Sequence, residues 1–439
     1  MTRTALARTS IVVALATTLI GASVLFPTTH DSPVAVSAAS SANFVGVTTS
    51  DLTQGLASLR AHLAQQPKDS NGWALLAEGY VEQARLTADP SLYSKAAGAV
   101  ERSLALDSKD NASAFSARAA LESARHEFQQ ALGSAHDALA INPLDPVALA
   151  IRTDALTEVG RYRRAQRSAA AMDNLRPGLS ATTRLAYQAE LRGHVASAAA
   201  SFARAAAHSS GSDLAFALVH GANLERSVGR LGSAADLYRQ ALRARPEDPS
   251  ALAGLARVAV ARQNIPLAID RARRVAILLP LPEHLTFLGE LLLSRGQVAA
   301  AHEQFAVAEA TVKLAEAQGV KVDLEQALYL ADHGDPVAAL EAARNSWRQR
   351  HTVHTADALG WALHVNGSDE AALKFATAAN RLGTRSAQFL HHLGAIEAEL
   401  GRWPSARAHL SAALNADPGY SPWQRKNVEQ AQRAIAGPS

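Results

Sequence analysis

The chain has 439 residues, 48% of them hydrophobic but only 5% aromatic, with a formal net charge of +3. Cysteine is absent, which excludes disulfides, thiolate metal sites and cysteine nucleophiles. The small excess of positive charge is almost wholly arginine and is spread along the chain, so no basic block argues for nucleic acid.

Arg3 and Arg8 precede an apolar run from Ile11 to Phe26, then Pro27 and a small-residue stretch ending Val36-Ser37-Ala38-Ala39. That order is the signature of a signal peptide over residues 1–38, cut after Ala38, and it predicts an exported mature chain. The run falls short of the ~20 residues of a comfortable bilayer span; a retained N-terminal membrane anchor is the competing reading. Residues 39–50 are small and polar and read as a flexible tether. A helix is expected over 51–69, N-capped by Asp51, with Leu52, Leu56, Leu59 and Leu63 on one face. It would cap the N-terminal end of a helical stack.

From residue 70 to residue 420 the sequence repeats itself. Leu218, Ala222, Ala234, Ala241 and Pro246 are answered 34 residues later by Leu252, Ala256, Ala268, Val275 and Pro280. The units tend to carry a small residue at the eighth place and another at the twentieth, and five of them close on a proline (Pro143, Pro177, Pro246, Pro280 and Pro418). A turn glycine stands between (Gly160, Gly193, Gly229, Gly296, Gly334, Gly367, Gly401) and is expected at positive φ. Units are read near 70–110, 111–145, 146–178, 179–214, 215–248, 249–281, 282–319, 320–352, 353–386 and 387–420. Arg118 and Gln263 depart from the pattern, and residues 421–439 are expected to form a C-terminal capping helix and tail. On these residues the chain resembles the tetratricopeptide-repeat family. The resemblance implies an all-α fold: a right-handed α-solenoid of about ten helix-turn-helix repeats with terminal capping helices.

Catalytic signatures fail in turn. There is no Gly-Lys-Ser/Thr phosphate loop, no G-x-S-x-G elbow and no S-x-x-K pair. His126-Glu127 and His302-Glu303 each begin a zinc-protease motif, but Gln130 and Ala306 stand where the second histidine belongs. Repeats fill the chain beyond residue 51, which points away from an enzyme, from a cofactor and from a metal site.

Six of the sixteen histidines fall between His351 and His409. The family resemblance implies that places two, five, nine, twelve and thirteen of each first helix face a concave groove. In the ninth unit these are His354, Asp357, Trp361, His364 and Val365; in the tenth, place five is His391. This polar and aromatic group has the composition recognition surfaces favour, and it is the predicted contact for a protein or peptide partner. A solvated groove wall is the plainer alternative. The matching places of the sixth unit, Ser250, Ala253, Arg257 and Val260, look bland. The stretches Asp323-Leu324-Glu325, Ala331-Asp332-His333-Gly334-Asp335, Ala356-Asp357-Ala358-Leu359-Gly360-Trp361-Ala362-Leu363 and Leu382-Gly383-Thr384-Arg385 make the C-terminal part similar to exported bacterial proteins built only of these repeats. That likeness implies an assembly scaffold. A cell-envelope carbohydrate or peptidoglycan binder, stacking sugars on Trp73, Trp361 and Trp403, is the alternative from another class.

Overall fold

The computed structural model describes residues 49–423, and the expected signal peptide, most of the tether and the C-terminal cap and tail lie outside them. The described residues form twenty-one helices and no strand. The first, Thr49–Gln65, starts two residues before the expected Asp51 and buries Leu52, Leu56 and Leu63.

Ten helix pairs A and B follow. The first six are Ser70–Thr87 with Leu92–Leu106, Ala112–Ala124 with Phe128–Ile141, Pro146–Glu158 with Tyr162–Leu175, Leu179–Glu190 with Val195–Ala207, Gly211–Arg226 with Leu231–Ala244, and Pro249–Ala261 with Ile265–Leu278. The last four are Pro282–Ser294 with Val298–Ala317, Asp323–His333 with Pro336–Gln349, Val353–Val365 with Asp369–Ala379, and Ala387–Glu399 with Trp403–Ala416. None of these helices is long and apolar enough to cross a membrane.

The small eighth residue sets how closely the two helices of a pair cross. A β-carbon on Gly289, Gly360 or Gly394 would stand 2.4 Å from Phe305, 3.0 Å from Ala376 or 2.8 Å from Leu410, on the opposing helix B. Ala234 and Ala268, at the twentieth place, are fully buried. Interiors packed this tightly leave no room for a larger side chain at either place.

The turn glycines divide. Six of the seven expected at positive φ have it, at 70–76°. Gly334 does not, its φ being −128°. There the Asp335 side chain accepts the Val337 N–H at 2.8 Å and caps the next helix. In the second and sixth pairs His126 and Gln263 take the left-handed position instead, each at φ 60°. Arg118, the other departure, reaches across its own pair to Ser134 and Asp137.

The solenoid winds back onto itself. Val353 donates its N–H to the Tyr162 hydroxyl at 2.9 Å, and Arg350 pairs with Glu158 at 2.6 Å. Lys321 donates to the Arg125 carbonyl at 3.0 Å, while the His126 ring meets the Lys321 carbonyl at 2.8 Å. Arg226 and Asp417 form a fully buried ion pair. Partners in these contacts lie roughly five to six 34-residue repeats apart, so one superhelical turn rests on the next. The seam has an apolar part, where Tyr162, Tyr187 and Leu191 share a core with Val353, Ala356 and Phe389.

Candidate functional site

A cavity of about 320 Å³ opens among the A helices of repeats six, seven and eight. Arg257, Glu283, Phe287 and Glu290 stand on its wall with Glu325, Tyr329, Asp332 and His333; Glu309 and Lys313, on helix B of repeat seven, form an exposed rim. The chain after the last helix returns across it, contributing Tyr420 and Ser421. That return is fastened at several points. The Arg257 guanidinium donates to the Tyr420 carbonyl, and Ser421 donates to Glu290 at 2.8 Å. Trp423 lies 5.6 Å from the His333 ring.

The wall is rich in carboxyls, and their circumstances differ. Glu290 accepts from His333 at 3.0 Å as well as from Ser421. Burial acts to lower the His333 pKa, but this carboxylate neighbour holds it above its ordinary value. Glu309 accepts the Tyr329 hydroxyl at 3.1 Å, and Asp332 accepts the Trp361 indole N–H at 2.9 Å. Glu283 is different. It sits at the second residue of its helix, behind Pro282, and is 6% exposed, yet neither carboxyl oxygen is hydrogen-bonded to another residue. Burial pushes its pKa well above the usual range. Glu325, in the first turn of the next A helix, has one oxygen without a partner, and burial raises its pKa to about 7.

The histidine and tryptophan cluster predicted from sequence stands behind this wall. Asp357, 1% exposed, accepts from Gln388 at 2.8 Å and from His392 at 3.0 Å. Trp361 is buried with its ring stacked on His392, centroids 4.1 Å apart at 6°, and with His364 at 4.9 Å. His364 also meets Asp369 at 2.5 Å. His391 is buried against Trp361 and Tyr420. His354 lies apart from the others, in the seam beside Tyr187 and Phe389, and burial lowers its pKa to about 4. The structure therefore brings Asp357, Trp361, His364 and His391 together, but as packed groups and not as an open surface. Asp332, Gln388 and Tyr420 belong to both the cluster and the cavity wall.

Sequence reading missed Glu283, Glu290, Glu325 and His392. The first two had a signal: with Gly289 as the eighth residue of repeat seven, its second, fifth and ninth places are Glu283, Thr286 and Glu290, all on the cavity wall. Arg257, which looked bland, bonds the returning chain and lies 4.6 Å over the Phe287 ring. Of the three tryptophans proposed to stack sugars, Trp361 is buried and Trp73 packs against the first core and bonds the Pro67 carbonyl; Trp403 is half exposed.

No family model and no curated protein matches the sequence. Solved structures do resemble the fold. The chain is similar to a subunit chain in the APC/C hetero-tetramer Cut9-Hcn1, with 13% identity, a TM-score of 0.38, and coverage of 90% of this chain and 98% of that one. The human IFIT1 dimer with PPP-AAAA gives 13% identity, a TM-score of 0.43, and coverage of 88% and 94%. PilW, a widely conserved type IV pilus biogenesis factor, gives 20% identity, a TM-score of 0.38, and coverage of 45% and 92%. The tandem helix pairs and 34-residue register make this chain an α-solenoid of helix-turn-helix repeats.

Proposed function

We propose that the protein is an exported, non-catalytic scaffold that holds a protein or peptide partner in the cavity on the inner face of repeats six to eight. The observation that carries this reading is the cavity itself, a formed recess of about 320 Å³ with aromatic walls and two carboxyls, Glu283 and Glu325, that have buried oxygens without a hydrogen bond to another residue. That is the ligand-site pattern of an apolar hollow with a few fixed polar groups. Its carboxyl-rich lining opposes a polyanion, which supports a protein partner over a nucleic acid. Export is supported by the Arg3–Ala39 order of basic, apolar and small residues.

A photo-crosslinking amino acid placed at Tyr329, on the wall, tests the site in intact cells. Ile277, 73% exposed, serves as the outer-face control. One protein is expected to be trapped from Tyr329 and not from Ile277. The same products from both positions, or none from Tyr329, would overturn the reading. N-terminal sequencing of the exported material should begin near Ala39; an intact Met1 would contradict cleavage.

A further inference from the structure

Five carboxyls line the cavity, against Arg257, Lys313 and the Glu290-bound His333 as its only basic groups among the described residues. Three of the carboxyls are engaged: Glu290 with His333 and Ser421, Glu309 with Tyr329, Asp332 with Trp361. Arg257 is turned to the Tyr420 carbonyl and the Phe287 ring, and Lys313 stands exposed at the rim. Glu283 is left nine-tenths buried on the wall with both oxygens lacking a hydrogen bond to any other residue, and Glu325 with one. A buried carboxyl in that condition is costly unless a donor completes it, and a cation completes it best.

We infer that the cavity receives a cationic side chain of the bound peptide, a lysine ammonium or an arginine guanidinium, with Glu283 and Glu325 as its acceptors; this rests on the peptide-binding reading above. The rest of the wall fits an organic cation. Phe287, Leu328 and Tyr329 offer apolar and aromatic surface along which an alkyl stem lies while its charged head reaches inward. The volume is at the low end for ligand sites and suits one long side chain, not a folded domain. Among the described residues no group of three or more side chains is arranged to hold a metal ion.

Titration calorimetry on the mature protein tests this with three probes: acetyl-Gly-Lys-Gly-amide, the same peptide with norleucine for lysine, and cadaverine as a free amine. The lysine peptide is expected to bind and the norleucine peptide not. Glu283→Gln should weaken the lysine peptide at least tenfold, while Glu316→Gln, exposed and off the cavity wall, should leave it unchanged. Because neither Glu283 oxygen is hydrogen-bonded to another residue, its glutamine variant should melt no lower than the wild type, which shows that it is folded. Equal binding of the norleucine peptide, or an unchanged affinity in Glu283→Gln, would overturn the cationic assignment and leave a peptide site standing. Cadaverine binding without any peptide binding would uphold the cation and overturn the peptide. Binding of no probe would overturn both.

Discussion

A β-carbon on Gly160 would stand 2.4 Å from the carbonyl oxygen of His351, a residue more than five repeats further along the chain. Gly193 approaches the Gly383 carbonyl as closely, and Gly229 comes within 2.7 Å of the Asn415 carbonyl by the same measure. Glycines in the equivalent turns of later repeats, Gly296, Gly367 and Gly401, have nothing within 4 Å. The same turn glycine therefore does two jobs: it supplies a left-handed φ in six of the repeats, and in repeats three to five it also lets one superhelical turn settle on the next.

That division gives a controlled comparison. Gly367→Ala carries only the strain of a left-handed alanine, about 1–2 kcal/mol, offset by roughly 0.5–1 kcal/mol from the lower freedom of the unfolded chain. Gly160→Ala carries the same strain and must also push backbone off backbone, so it should lower the melting temperature further. It should also loosen the seam, read as a larger radius of gyration in small-angle scattering. Equal effects of the two substitutions would mean that the turns do not rest on each other at Gly160.

Gln263 and His126 hold the left-handed turn position without being glycine, at φ 60° each. Gln263→Gly relieves about 1–2 kcal/mol of steric strain and loses roughly 0.5–1 kcal/mol to the greater freedom of the unfolded chain. A net gain of up to about 1.5 kcal/mol is expected, seen as a higher urea midpoint. The same change at His126 should destabilise, since its ring meets the Lys321 carbonyl at 2.8 Å and stacks on Phe128.

Two groups should give stability profiles of opposite sign with pH. Burial raises Glu325 from 4.5 to about 7, so between those values the folded carboxyl keeps a proton that the unfolded chain has lost. Its contribution is full below pH 4.5 and is lost as pH rises through about 7. Glu325→Gln should therefore gain melting temperature relative to wild type between about pH 5 and pH 8, by on the order of a few degrees. His354 is lowered by burial from 6.5 to about 4 and stays neutral in the fold. Its contribution is full above pH 6.5 and is lost as pH falls through about 4, so His354→Gln should gain on the wild type in acid. Thermal scans across this range check both signs.

Much of the architecture could be read from residue spacing, because the crossing of two helices leaves a local mark: a small residue such as Gly289 or Ala268 at a fixed place in each unit. The seam left no such mark. Arg226 and Asp417 are 191 positions apart, and each alone looks like an ordinary charged residue on a helix or at its end. The cluster around Trp361 was found as a group of residues, but its exposure was not, since whether a groove is open depends on what the far end of the chain does. Glu283 and Glu290 were within reach of the same register argument. Glutamate on a helix is usually solvated, whereas here Tyr420 and Ser421 return to cover the wall.

The most direct test is a crystal structure of the mature protein with acetyl-Gly-Lys-Gly-amide. The account predicts the lysine Nζ in the cavity at about 2.8 Å from a Glu283 carboxyl oxygen, the ordinary length of a charge-assisted hydrogen bond. A lysine bound elsewhere on the solenoid, or a cavity in which Glu283 is bonded to a side chain of the protein itself, would contradict it.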